Sequence, residues 1–84
     1  MRYSVRWLPA AEEELAALWL ATTNRDAVTQ AAFEIDQDLH IKADEIGGSR
    51  PGGLRIHFVW PLGVLFRVIA DDWMVQVVNV WSFQ

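Results

Sequence analysis

The fold is decided by residues 54–83, which read LRIHFVWPLGVLFRVIADDWMVQVVNVWSF. Apolar side chains recur at every second position along three runs of this stretch, a period typical of β-strands with one buried face. Turn-forming residues separate the runs at Pro61-Leu62-Gly63 and at Asp71-Asp72. The stretch therefore predicts a meander of three antiparallel strands, the last of them over residues 73–83.

The residues before the meander predict one more strand and a helix. Residues 2–8 alternate with the same period, with Tyr3 among the side chains of the buried face. Pro9 ends this strand and suits the first turn of a helix, where its missing N–H is not needed. Helical spacing of apolar side chains then predicts a first helix over about residues 10–22, with Trp19 on its buried side.

A longer apolar stripe predicts a second helix over about residues 26–46, introduced by the capping cluster of residues 22–26, in which Asn24 or Asp26 can supply the acceptor. Gly47-Gly48 is expected to end this helix, and residues 47–53 are expected to form a flexible loop. The predicted order is β-α-α-β-β-β, an α+β fold in which a helical hairpin packs on one face of an antiparallel sheet. Because half of so short a chain could not build its own core, residues 1–84 are expected to form a single domain.

Composition narrows the classes of function. The chain has eleven acidic and seven basic residues, a net charge of −4, and no cysteine. Strong non-specific binding of RNA or DNA is not expected, because such affinity comes largely from neutralising phosphates. Without cysteine there is neither a disulfide framework nor a thiolate metal site. No apolar run approaches the roughly 20 residues of a membrane helix, and the N-terminus does not resemble a signal peptide. These features predict a cytoplasmic protein.

Three side chains of the meander form the candidate site. If the apolar faces of the first two meander strands stay together, Arg55 or His57 lies opposite Arg67, and all three converge on the face away from the helices. Like charges opposed on a sheet repel each other, so we infer an anionic partner, either a phosphate or a carboxylate of another protein. For catalysis, His57 would act as a base and the two arginines would stabilise charge, although no second acid is evident.

The same face is predicted to carry apolar side chains. Leu65, Val78 and Val80 fall in phase with Arg67, and Arg50 of the glycine-rich loop is a further candidate contact. A face that is half apolar and half cationic is typical of a surface covered by an amphipathic segment of a partner protein.

Two other groups of side chains allow both a functional role and a simpler structural one. The tryptophans of the meander (Trp60, Trp73 and Trp81) are in phase with its apolar positions, so core packing is favoured over stacking on bases. Three polar residues at one-turn spacing on the second helix (Asp36, His40 and Asp44) have donor atoms suited to a metal. An ordinary solvated helix face is the favoured interpretation, and neither a metal nor a cofactor is expected.

Several segments, taken in order, resemble the RelE/ParE toxin family nearly from end to end. They are Tyr3-x-Val5-x-Trp7-x-Pro9-x-Ala11 with Glu13, Leu15 and Leu18; Ala32, Ile35 and Leu39; Gly53-Leu54-Arg55-Ile56; Pro61-Leu62-Gly63-Val64-Leu65-Phe66-Arg67-Val68; and Val75-x-Val77-Val78-x-Val80. The resemblance implies the toxin component of a bacterial type II toxin–antitoxin module, associated with plasmid stabilisation and growth inhibition. It also implies that a cognate antitoxin neutralises the toxin in a hetero-oligomer.

The resemblance leaves the cellular target open. RelE-like members cleave mRNA on the ribosome, and ParE-like members poison DNA gyrase. The tail of this chain, residues 79–84, has no charged side chain and no tyrosine, whereas RelE-like nucleases often carry both there. A ParE-like, non-nuclease mode is therefore favoured. The alternatives are a RelE-like mRNA endonuclease and a degenerate member that binds its antitoxin without being toxic.

Overall fold

A computed structural model describes residues 2–50 and 53–83, which form two helices and a five-stranded sheet. In chain order the elements are β1 (Ser4–Trp7), α1 (Pro9–Ala21), α2 (Arg25–Lys42), β2 (Gly48–Arg50), β3 (Leu54–Val59), β4 (Leu62–Ile69) and β5 (Met74–Ser82). A short 3-10 turn, Ala70–Asp72, joins β4 to β5. The predicted α+β fold is confirmed.

The sheet has the strand order β1-β5-β4-β3-β2. Strands β3, β4 and β5 form the predicted antiparallel meander. Strand β1 joins β5 in parallel, with Val5 opposite Val75, so the sheet is mixed rather than wholly antiparallel. The helices cover one face, and the opposite face has no covering element in the described part of the chain.

The helix boundaries follow from local chemistry. Pro9 is the first residue of α1. The side chain of Asn24 caps α2 by accepting a hydrogen bond from the backbone N–H of Ala27 at 3.2 Å, as the capping cluster predicts. Helix α2 ends at Lys42, earlier than expected, and a turn precedes the glycines. Neither helix is long and apolar enough to cross a membrane.

The predicted loop over residues 47–53 contains a strand instead. Strand β2 pairs antiparallel with the start of β3, Gly48 opposite Ile56, and so satisfies backbone groups that would otherwise be unpaired at the sheet edge. Gly47 precedes β2 with a φ of 83°, and a Cβ atom there would lie 2.6 Å from the carbonyl oxygen of Ile56. Glycine is therefore required at position 47. Pro51 and Gly52 lie outside the described residues.

The core lies between α2 and the sheet. Phe66 of β4 and Ile35 and Leu39 of α2 are its largest fully buried side chains. The prediction that Trp19 is buried is wrong, since 40% of the residue is exposed. The prediction of core positions for the meander tryptophans is wrong as well: Trp60 is 59% and Trp73 41% exposed. Trp81 is half-buried.

The register of β3 against β4 explains much of the difference between the predicted and the observed burial of the meander tryptophans. Only Trp60 and Pro61 connect the strands, so that Val59 lies opposite Leu62 and Leu54 opposite Arg67. This register differs by one residue from those expected. Because side chains alternate between faces, the shift turns the apolar side chains of β3 away from the helices.

A β-bulge likewise changes which side chains of β5 point toward the helices. Leu65 pairs with Asn79, and the next residue, Phe66, pairs with Val77, so Val78 is an extra residue without a partner on β4. Beyond the bulge, Val80 lies opposite the buried Val64 and is itself only 3% exposed. The prediction that Val80 contacts a partner protein is therefore wrong, because Val80 belongs to the core.

Candidate functional site: two uncovered surfaces

The predicted convergence of Arg55, His57 and Arg67 is wrong. Arg55 pairs with Phe66, and His57 with Val64, both on the face covered by the helices. Arg67 is exposed on the opposite face. The sheet itself separates the two groups, so the three side chains form no common site.

Arg55 and His57 instead form polar contacts that hold α2 and the turn after it against the sheet. Arg55 Nη1 donates hydrogen bonds to the backbone carbonyls of Asp44, at 3.0 Å, and Ile46, at 3.4 Å. These carbonyls belong to the turn after α2, where the helix dipole is negative and carbonyls lack helical partners. His57 Nε2 lies 3.0 Å from Asp38 Oδ2 of α2. Both side chains are occupied by contacts within the chain.

A second polar cluster links β1 and the residue before it to α2 by hydrogen bonds. The backbone N–H of Tyr3 donates to the carbonyl of His40 at 2.8 Å, and His40 Nδ1 lies 2.6 Å from the carbonyl oxygen of Tyr3. Burial raises the pKa of the Tyr3 phenol above its ordinary value of 10.0, and the Asp44 carboxylate beside it acts in the same direction. Asp36 accepts a hydrogen bond from Trp7 Nε1 at 3.2 Å. Each of the residues weighed as metal ligands therefore has another partner.

The uncovered face of the sheet is mostly apolar. We define the open face by Leu54, Ile56, Phe58, Leu65, Trp81 and two arginines, Arg6 and Arg67. Phe58 is 53% exposed, and its ring makes edge contacts with those of Trp81 and Phe83 at centroid distances of 6.1 and 5.3 Å. The Trp81 ring lies over Gly63, where a Cβ atom would come within 2.7 Å of it. Leu65 and Arg67 lie on this face, as predicted.

Sequence reasoning missed Arg6. It lies opposite Gln76, which in turn lies opposite Arg67, so the two arginines occupy one row across β1, β5 and β4. Its alternation with Val5 and Trp7 placed Arg6 away from the helices, but only the pairing of β1 with β5 brings it beside Arg67. Arg50 pairs with Leu54 in the same row, although its side chain lies outside the described part of the structure. Val78 is half-buried at the bulge.

A second uncovered surface lies between the two helices. It is a groove of about 930 Å³, and its lining is mainly apolar. Arg25, at the turn between the helices, contacts one of the lining side chains: its guanidinium lies 4.6 Å from the centre of the Trp19 ring. Arg25 also donates to the carbonyls of Trp19 and Leu20 at 3.1 and 3.4 Å.

Comparisons with known proteins show which solved structures share this architecture. No family model matches the sequence, and no curated protein sequence matches it. Solved structures do match. The toxin–antitoxin complex RelBE2 from Mycobacterium tuberculosis contains a chain 19% identical to this one, with a TM-score of 0.79 over 98% of this chain and 99% of the matched chain.

Two further solved structures are similar to this chain. A chain of the chromosomal ParDE system from P. aeruginosa is 19% identical, with a TM-score of 0.72 over 99% of this chain and 98% of that one. The isolated RelE toxin of E. coli is 19% identical, with a TM-score of 0.59 over 98% of this chain and 85% of that one. The chain therefore has the fold of the RelE and ParE toxins.

Proposed function

We propose that the protein is the toxin component of a type II toxin–antitoxin module and that it acts in a ParE-like, non-nuclease mode. The shared fold supports the first part of the proposal, since the similar structures include toxins solved with their antitoxins. The chemistry of the open face supports the second part.

The carrying observation is that no strand residue of the open face supplies a proton-transfer group; the Glu14 carboxylate of α1 reaches Asn79 of β5, but there it accepts hydrogen bonds from the Asn79 amide and from the backbone N–H of Val80. Cleavage of RNA by the neighbouring 2′-hydroxyl requires a base and an acid beside the phosphate. Among the described side chains, register places no histidine, tyrosine, lysine, aspartate or glutamate on this face. His57 and Tyr3 lie on the helix-covered face, so neither would reach RNA bound to the open face. The surface is better suited to binding a protein.

The same face suits an antitoxin segment with both apolar and acidic residues. Arg6 and Arg67 are two strands apart, so their backbones are separated by roughly 10 Å. Carboxylates at that spacing would pair with both guanidinium groups, while apolar side chains would cover Phe58 and Trp81. We therefore propose a hetero-oligomer with a cognate antitoxin that covers this surface.

Expression of the chain alone in a bacterial host tests the target. We expect growth to stop, primer extension to show no codon-linked cuts in mRNA, and the purified protein to inhibit gyrase supercoiling. Codon-linked cuts would overturn the non-nuclease mode and support the RelE-like alternative. Normal growth with full expression would support the degenerate, non-toxic alternative.

A charge reversal tests the antitoxin surface. The protein encoded by the adjacent reading frame serves as the antitoxin. Arg67→Glu should weaken its binding by about tenfold or more, because the new carboxylate would repel the carboxylates of the antitoxin segment. Lys42→Glu makes the same change of charge at an exposed position of α2 and is the matched control. Isothermal titration calorimetry measures both affinities. Equal affinities for the two variants would remove Arg67 from the interface.

A further inference from the structure

The outer edge of β5 changes its neighbour partway along the strand. Strand β1 pairs with β5 as far as Val77, whose carbonyl accepts a hydrogen bond from the backbone N–H of Leu8 at 3.0 Å. Beyond this point a side chain of α1 takes over, since the backbone N–H of Val80 donates to Oε1 of Glu14 at 3.1 Å. Glu14 therefore satisfies a backbone donor that the sheet edge would otherwise leave without a protein partner.

The same carboxylate also holds the side chain next to Val80. Asn79 Nδ2 donates to Oε1 of Glu14 at 3.2 Å and to Oε2 at 3.3 Å. Hydrogen bonds to an ionised group are stronger than those between neutral groups, and Glu14 is half-buried, which limits competition from water. The two residues that Glu14 holds directly follow Val78, the extra residue of the bulge. Glu14 thus binds the strand at the point where its side chains change faces.

The bulge decides which side chains of the end of β5 reach the open face. With Val78 as the extra residue, Val80 lies opposite Val64 in the core and Trp81 lies opposite Gly63 on the open face. Gly63 has no side chain, which leaves room for the Trp81 ring over it. Without the extra residue, the positions beyond it would exchange faces, so that Trp81 would leave Gly63 and Val80 would leave the core.

We propose that Glu14 is a positioning residue for the open face: its carboxylate fixes the bulge of β5 and thereby keeps the Trp81 ring on that surface. Trp81 in turn contacts the exposed ring of Phe58, at a centroid distance of 6.1 Å, so the apolar end of the open face depends on a side chain of α1. The inference rests on the proposed function only in treating the open face as the surface that the antitoxin covers.

Hydrogen exchange of single amides, followed by NMR, tests the link between Glu14 and the bulge. Glu14→Ala removes the acceptor, so exchange of the Val80 amide should become about tenfold or more faster relative to that of the Leu8 amide, which bonds to Val77 before the bulge. Glu13→Ala is the matched control, because Glu13 is an exposed carboxylate of the same helix. Equal acceleration of both amides would assign Glu14 a contribution to global stability alone and would overturn the proposal.

The position of the Trp81 ring has its own NMR signature. An indole ring over Gly63 shifts the α-protons of this glycine upfield by its ring current. Glu14→Ala should lose this shift, whereas Glu14→Gln, which keeps one acceptor oxygen, should keep most of it. Glu14→Met, which keeps the length of the side chain without its oxygens, carries the same test if Glu14→Ala does not fold. A full upfield shift in either folded variant that lacks the acceptor would contradict the positioning role.

Antitoxin binding separates this inference from the proposed function. Glu14→Ala should weaken binding of the protein encoded by the adjacent reading frame by about fivefold or more, measured by calorimetry, because a misplaced Trp81 no longer contributes to the interface. Glu13→Ala should bind as the unaltered protein does. Loss of the Trp81 signature with unchanged affinity would support the positioning role and reject only the antitoxin surface. Weaker binding with the signature intact would overturn the positioning role.

Discussion

Arg55→Glu is expected to lower the free energy of unfolding by about 3–5 kcal/mol, whereas Arg67→Glu should change it by less than about 0.5 kcal/mol. Arg55 is half-buried and donates two hydrogen bonds to carbonyls of the turn after α2. Hydrogen bonds from a charged group contribute about 1.5–3 kcal/mol each, and a carboxylate at position 55 would repel the carbonyls left behind. Arg67 has an exposed side chain, so its reversal costs the fold little.

Urea unfolding followed by tryptophan fluorescence and circular dichroism measures both variants. Arg55→Lys is the control, because it keeps the charge and one donor and should retain part of the stability. The comparison also tests the register of β3 against β4, since the observed pairing places these two arginines on opposite faces, whereas the registers expected from the sequence placed them on the same face. Similar losses for both charge reversals would contradict that register.

Phe66→Ala is expected to destabilise the protein by about 3–5 kcal/mol. Phe66 is fully buried at the centre of β4, and its ring lies against Gly47. Removing the ring forfeits its transfer from water and leaves a cavity that Ile35 and Leu39 could fill only by moving. For a domain of this size, the loss corresponds to a fall in Tm of at least about 12 °C.

Thermal unfolding of Phe66→Ala and Phe33→Ala provides the matched comparison. Phe33 is 60% exposed, so its truncation should cost less than about 1 kcal/mol. Both variants remove the same ring, and their difference therefore reports mainly the burial of that ring, with a smaller contribution from the helix and strand preferences of alanine. A fall in Tm as small for Phe66→Ala as for Phe33→Ala would contradict the position of Phe66 in the core.

The fold could be predicted from local patterns because those patterns record local constraints. The period of two in residues 54–83, Pro9 at the start of α1 and Asn24 at the cap of α2 each depend on residues close in the chain. Strand β2 left no such signal, since Gly48–Arg50 has glycine-rich neighbours and pairs only because β3 offers an edge.

The candidate site was predicted less well, because its geometry depends on pairings between strands. Arg67 was placed on the open face correctly, while Arg55, His57 and Val80 were not. Side chains along a strand alternate, so a shift of one residue exchanges the faces completely. The two-residue connection after Val59 produced one such shift, and the bulge at Val78 produced another.

The sequence by itself determined both helices, four of the five strands, their order and the acidic balance, because helical and strand periods and charge counts are properties of the chain alone. Only the tertiary structure decided which arginines face outward, that Arg6 lies in the row of Arg67, and that an apolar groove opens between the helices. The physical reason is that register and packing are set by contacts between distant residues, where a single added residue in a turn or bulge reverses which side chains meet the solvent.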